Sequence, residues 1–258
     1  MPCEFATNIP VCSNAPTMAK PNFIKHKKKR RSGANFWDAE YSKADNLAIS
    51  TGPSGDMLDF LRWLERETGR SVLNPTMSAL DLGCGNGRNL NYLGKTYGMH
   101  GYGFDISIEA IKQAQKLAEG LHLKFDVGSI ANPLSLPDNS QILALDLMVS
   151  HVLTHAEREQ EHEEIKRVLR PGGWFLLKTF LLDEDRHAER MLRENPGPEV
   201  GSYIHPVIGV TEYVFSEADI VSLVEKRFLV RKVVKSHRHK SKDGAGKRRS
   251  IVIYAQKS

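Results

Sequence analysis

The chain has 258 residues, 40% hydrophobic and 26% charged, with a formal net charge of +5. That composition excludes a wholly disordered chain, and the length fits one large domain or two small ones. No uncharged apolar run approaches the ~20 residues of a membrane helix, and the first residues lack the basic-then-apolar order of a secretory signal. Cys3, Cys12 and Cys84 make neither a disulfide framework nor a zinc-ligand spacing, so a reducing, cytoplasmic setting is expected.

The charge is unevenly placed. Residues 1–34 carry seven lysines and arginines against Glu4, and residues 231–258 carry ten against Asp243, leaving an acidic body between two basic ends. Residues 1–34, with the run KHKKKRRSG at 25–33, show no apolar period and read as a tail. It is either solvated or an electrostatic contact for nucleic acid or another polyanion.

The folded part is expected over 35–258. FWDAEYSKAD (36–45) reads as a short aromatic helix, and MLDFLRWLERE (57–67) as an amphipathic one. Short apolar runs then alternate with helical patterns. SALDL (78–82), GYGFD (101–105), HLKFDV (122–127), ILALDLMV (142–149) and WFLLKTFLL (174–182) read as strands. Between them lie the helical segments 89–98 and 108–119, the second capped by Ser107. A third opens on the Thr154/Glu157 capping-box pair and stops at Arg170-Pro171-Gly172-Gly173. SEADIVSLVEKRF (216–228) is a further capped helix, and 229–237 and 250–256 read as two successive strands. Strands separated by helices predict an α/β, doubly wound, mostly parallel seven-stranded sheet, and the last two strands predict a closing antiparallel hairpin.

The strongest local signal is ALDLGCGNGRNL (79–90), a strand, glycine turn and helix. Gly83, Gly85 and Gly87 permit a tight turn and close approach of backbone to a ligand. The spacing is G-x-G-x-G, with Arg88 where a dinucleotide fold has its third glycine, and no G-K-[ST] follows, so neither a dinucleotide fingerprint nor a P-loop is present.

D-L-G-C-G-x-G resembles the nucleotide-binding turn of class I S-adenosylmethionine-dependent methyltransferases. GYGFDIS (101–107), 136–155 and VLRPGGWFLL (168–177) are similar to later motifs of that family. GCGNGRNLNYL is most similar to the tellurite-resistance type. The resemblance implies a cofactor-binding core over about 76–180 and S-adenosyl-L-methionine as cofactor. It implies that Asp81 holds the methionine portion and that Gly83, Cys84, Gly85 and Gly87 present main chain to the cofactor. Asp105, with Ile106 beside it, would bind the ribose; the alternative for Asp105 is a helix-capping aspartate. The family often has an acid after the third strand for the adenine amine. Here Ser129 and Ile130 fall at that place, with Asp126 three residues early. Trp37 and Tyr41, four apart, are expected to fold over the cofactor or to pack on the core. Cys84 reads as a small filler rather than a nucleophile.

A sulfonium methyl is already activated, so the chain must align an acceptor and, for some acceptors, remove a proton, with no metal required. His151 and Ser150 are the candidate catalytic residues after the fourth strand. His151 is equally readable as a helix-start histidine bonded to backbone. His151 and His155 lack a third ligand for a metal. The connection 183–215 and the basic stretch 235–249 follow sheet strands and should stand on the rim of the site, the second either gripping an anion or forming a solvated hairpin loop. Three functions stay open: methylation of an anionic substrate or nucleic acid, methylation of a small molecule, and a catalytically silent cofactor-binding module.

Overall fold

The structure is a computed structural model that describes residues 33–45, 49–240 and 247–258. The helices are α1 (Gly33–Ser42), α2 (Gly55–Thr68), α3 (Arg88–Tyr97), α4 (Ile108–Leu117), α5 (His155–Val168), α6 (Arg186–Glu194) and α7 (Glu217–Glu225). The strands are β1 (Ser78–Leu82), β2 (His100–Asp105), β3 (Leu123–Val127), β4 (Gln141–Leu147), β5 (Leu169–Phe180), β6 (Ser202–Ile204), β7 (Thr211–Tyr213), β8 (Leu229–Lys240) and β9 (Lys247–Gln256).

Seven strands form one sheet in the order β3-β2-β1-β4-β5-β9-β8. The first five are mutually parallel, and β9 runs antiparallel to both β5 and β8. This is the expected doubly wound sheet with its closing hairpin. The chain leaves β1 toward β2 on one side and later returns to β4 on the other, so β1 and β4 flank the point where strand order reverses. Ligands of such sheets lie beyond the carboxyl ends of the strands there.

Alternation along the strands feeds two apolar layers. Ala79, Leu143, Leu145, Trp174, Leu176, Val252 and Tyr254 face α2, α3 and α4, where Phe60, Leu64, Leu90, Leu93 and Ile111 meet them. Their neighbours Leu80, Ala144, Phe175, Leu177, Ile251 and Ile253 face α5 and α7, packing on Ile165, Val168, Ile220 and Val224. Every central strand is thus covered on both sides, which is why these segments read as continuous apolar runs.

The helix starts carry their expected caps. The Ser107 hydroxyl accepts from the Ala110 N–H, and Thr154 and Glu157 complete a reciprocal capping box. The connection 183–215 is more ordered than its sequence suggests. Asp185 caps α6, and β6 and β7 pair as an antiparallel ribbon. Phe180, Ala188, Met191, Tyr203 and Val214 form a third apolar cluster beneath it.

The basic stretch corrects an expectation. β8 runs on to Lys240 and β9 begins at Lys247, so 235–240 and 247–249 are strand rather than loop. Arg248 is buried and ion-paired with Glu212, Arg249 pairs with Glu184, and Lys235 pairs with Glu217. The reason is the strand period, which turns Arg248 to the same side as buried Ser250 and Val252. The tail expected over 1–34 lies, through residue 32, outside the described residues. No helix among the described residues is long and apolar enough to cross a membrane.

Candidate active site

The glycine turn leaves β1 at the switch point and enters α3. Gly83, Gly85 and Gly87 have φ of 62°, 55° and 73°, the left-handed region that side chains resist. Space is as restrictive as torsion at Gly83, where a Cβ would collide with the Val149 side chain, and at Gly85, where it would collide with the Tyr41 hydroxyl.

Two carboxylates frame this turn. Asp105 ends β2; its Oδ2 accepts the Gly85 N–H at 2.9 Å and its Oδ1 accepts the Ser107 N–H at 2.9 Å. Burial raises its pKa, while those two amides pull it back. The aspartate therefore ties β2 to the turn, and Ser107 rather than Asp105 caps α4. Asp81 is fully buried near the end of β1, and its Oδ2 has no hydrogen-bond partner among the described residues. Burial pushes its pKa up to about 7, against the opposing pull of Arg88 and Asn89. A buried carboxylate oxygen without a donor is costly unless a ligand supplies one. That oxygen, the side-chain-free turn and the adjacent Asp105 fit a cofactor bearing an ammonium and a ribose.

Cys84 is buried, and burial raises its pKa well above the ordinary thiol value, which keeps it protonated. Ser129 and Ile130 follow β3. Ser129 Oγ accepts the Ala131 N–H, and the Ile130 side chain lies in the apolar layer under α5, so only main chain at 130 faces outward chemistry.

α1 covers the turn from outside. Tyr41 reaches Gly85, Asp38 accepts from the Ser107 hydroxyl and the Glu109 N–H, and Gln113 donates to the Tyr41 carbonyl. Ile106 lies against the start of α1, near Gly33. Trp37 is half-buried with its ring edge-on to Phe36. The segment after α1 is fastened as well: Asn86 donates to the Ser50 carbonyl, Arg88 to the Gly52 carbonyl, and Asn89 accepts from the Ser54 N–H.

The candidate catalytic pair sits on a 3-10 turn, Ser150–Val152, directly after β4. The expected strand to Val149 stops at Leu147, because Met148 turns to φ 72°. Asp146 anchors the start of this turn, accepting from the N–H groups of Val149 at 3.0 Å and Ser150 at 3.2 Å. Arg158 of α5 clamps the same turn, donating to the carbonyls of Ser150 and Leu153. Ser150 and His151 are both buried, and the His151 ring stands edge-on to Phe180 at 4.8 Å between centroids. Beside them Glu212 accepts from Tyr203 and from Arg248. Burial would raise the Glu212 pKa, but His151, Arg248 and the Tyr203 hydrogen bond outweigh it and hold the carboxylate low. Asp146, Arg158, Tyr203 and Glu212 carry no motif that singles them out, whereas Arg248 belongs to the basic stretch 235–249 expected at the rim. Among the described residues no group of three or more histidine, cysteine or acidic side chains is disposed to hold a metal ion.

Known proteins place this architecture. Residues 79–173 match a family model described as a methyltransferase domain. The chain is 27% identical over 171 residues to 2-methyl-6-phytyl-1,4-hydroquinone methyltransferase of Synechocystis sp., covering 65% of this chain and 53% of that protein. It is 33% identical over 142 residues to fatty-acid O-methyltransferase of Mycolicibacterium smegmatis, covering 55% and 51%. Among solved structures, a SAM-dependent methyltransferase from Methanosarcina mazei superposes with a TM-score of 0.62 at 27% identity, covering 70% of this chain and 92% of that one. Geranyl diphosphate C-methyltransferase of Streptomyces coelicolor, solved with S-adenosyl-L-homocysteine, shares the fold at a TM-score of 0.61 and 12% identity. The chain spans about half the length of these curated relatives, or less. Residues 79–173 thus match a methyltransferase domain, and the sheet around them is similar to that of S-adenosylmethionine-dependent methyltransferases.

Proposed function

We propose that this protein transfers the methyl group of S-adenosylmethionine to a small-molecule acceptor lying beyond β4 and β5. The observation that carries the reading is the glycine turn at the switch point, with the Asp105 carboxylate held at Gly85 and an Asp81 oxygen left without a donor. The bound cofactor supplies a methyl group already activated as a sulfonium substituent. Asp81 would pair with its ammonium, Asp105 would accept from the ribose hydroxyls, and the main chain of Gly83, Cys84, Gly85 and Gly87 would line its path. Main chain at Ser129 and Ile130 meets the adenine, while α1, through Tyr41 and Trp37, excludes water.

The transfer balances simply. On transfer the acceptor would gain the methyl group through one of its lone pairs and lose one proton, the displaced bonding pair remaining with the cofactor. His151 takes or orients that proton, and Ser150 shapes the turn that presents it. A small acceptor is favoured over nucleic acid by the fate of the basic residues at the rim. Arg248 is buried, and Arg249 and Lys235 pair with acidic side chains. Incubating the full chain with methyl-labelled S-adenosylmethionine and fractionated cell extract tests this. Label in the small-metabolite pool is expected. Label in RNA or DNA would overturn the choice of acceptor, and no label in any pool would leave a silent cofactor-binding module.

A further inference from the structure

The guanidinium of Arg248 stands at the carboxyl edge of the sheet with half of its hydrogen-bonding edge unused. Its Nη1 donates to Glu212 at 3.1 Å. Its Nε and Nη2 are buried and have no partner among the described residues. The side chain is only 6% exposed. These two nitrogens form one edge of the planar group, the edge that offers two parallel N–H bonds to a single oxyanion. Leaving both unsatisfied in a buried site is expensive, and a built-in cation with an open fork is what planar anion recognition needs.

Its position relates it to the reacting centre. Arg248 lies flat on the Phe180 ring, 3.5 Å from its centroid, and Phe180 meets the His151 ring. His151 is two residues beyond Val149, whose side chain touches the glycine turn at Gly83. The groups facing the fork's surroundings are Glu212, which neutralises Arg248 once and accepts from Tyr203, and His151 and His205, both close enough to lower the Glu212 pKa. The ring of Tyr203 also lies beside the guanidinium, 5.7 Å away.

We infer that the open edge of Arg248 is the anchoring subsite for a carboxylate carried by the methyl acceptor, next to His151. This rests on the methyltransferase reading proposed above. Glu212 and Tyr203 hold the guanidinium in plane, Phe180 supports its face, and the β6–β7 ribbon supplies both Tyr203 and Glu212. The β6–β7 insertion thus supplies the side chains that hold the fork in place.

The test uses the full chain saturated with S-adenosylhomocysteine, with benzoate as the probe and benzamide as its neutral counterpart. The Arg248 Nε–Hε resonance, assigned through bonds from the Arg248 backbone in the wild-type protein, reports directly on the fork. A saturable shift with benzoate and none with benzamide is expected, with affinity for benzoate falling about tenfold in Arg248→Lys. Phenyl phosphate shifting the resonance at much lower concentration than benzoate would overturn the carboxylate assignment. No shift with either anion would overturn the subsite and leave the fork to buried water. The wild-type measurement decides the matter even where the variant does not fold. A calorimetric titration of the cofactor product on the same sample separates the two claims. Heat of binding with an unmoved resonance defeats the subsite alone, whereas no heat defeats the reading beneath it.

Discussion

The hydroxyl of Tyr41 occupies the space that a Cβ at Gly85 would need. One residue lies on α1, ahead of the sheet, and the other in the turn after β1, so the fit couples the covering helix to the cofactor turn. Burial and the Asp105 charge raise the Tyr41 pKa, which keeps the hydroxyl neutral against the turn.

Gly85→Ala is therefore expected to destabilise the protein twice, through its φ of 55° and through displacement of Tyr41. The torsion alone costs about 1–2 kcal/mol. In a Tyr41→Ala background the steric part disappears, so the cycle should show a coupling of about 0.5–3 kcal/mol in urea unfolding. Additive losses would show that α1 does not rest on the turn.

Asp81 predicts a pH dependence with a definite sign. Its folded pKa is raised from 3.8 to about 7, so the stability it contributes to the ligand-free protein is present at low pH and is lost as pH rises through that interval. An ammonium partner favours the ionised form. Affinity for S-adenosylhomocysteine should consequently rise with pH up to about 7, by at most about tenfold per unit, and then level off. Arg88, Asp105 and Asp146 also act on this carboxyl, so the control is Asp81→Asn, which should flatten the profile. A slope that survives the substitution assigns the titration elsewhere.

Much of this architecture was legible in the chain, for a physical reason. A parallel sheet covered on both faces demands unbroken apolar runs, and SALDL and ILALDLM supply them; Ser107 and the Thr154/Glu157 pair mark helix starts through backbone N–H groups that need acceptors. The insertion was not legible. β6 and β7 have three residues each, and α6 buries only Ala188 and Met191, too few positions to establish a period. The K-R-R run is readable as an anion grip or as a solvated loop, and nothing local shows that Arg248 is buried. Its burial depends on Glu212, 36 positions earlier, although carrying the strand period back from Val252 through Ser250 would have pointed it inward.

His162 offers a test away from the site. It is fully buried on α5, edge-on to Phe175, with neither ring nitrogen partnered among the described residues. Burial, with the nearby Arg227 and Arg158 charges, lowers its pKa from 6.5 to about 3. The stability linked to it is thus present above pH 6.5 and is lost as pH falls toward 3. His162→Phe should unfold in urea within about 1.5 kcal/mol of wild type at neutral pH. At a pH two units below the ordinary histidine value it should be the more stable protein by roughly 2–3 kcal/mol. Equal acid sensitivity in the two proteins would show that His162 is not the group responsible.

Calorimetric titration with S-adenosylhomocysteine tests most directly whether Asp81, the glycine turn and Asp105 form a cofactor site. One-to-one binding is expected for the folded full chain, with NAD giving no heat. Asp105→Ala should bind about 10–100-fold more weakly, the value of one or two hydrogen bonds to a carboxylate. A folded wild-type protein that takes up no S-adenosylhomocysteine, or an Asp105→Ala variant that binds it unchanged, would contradict the account.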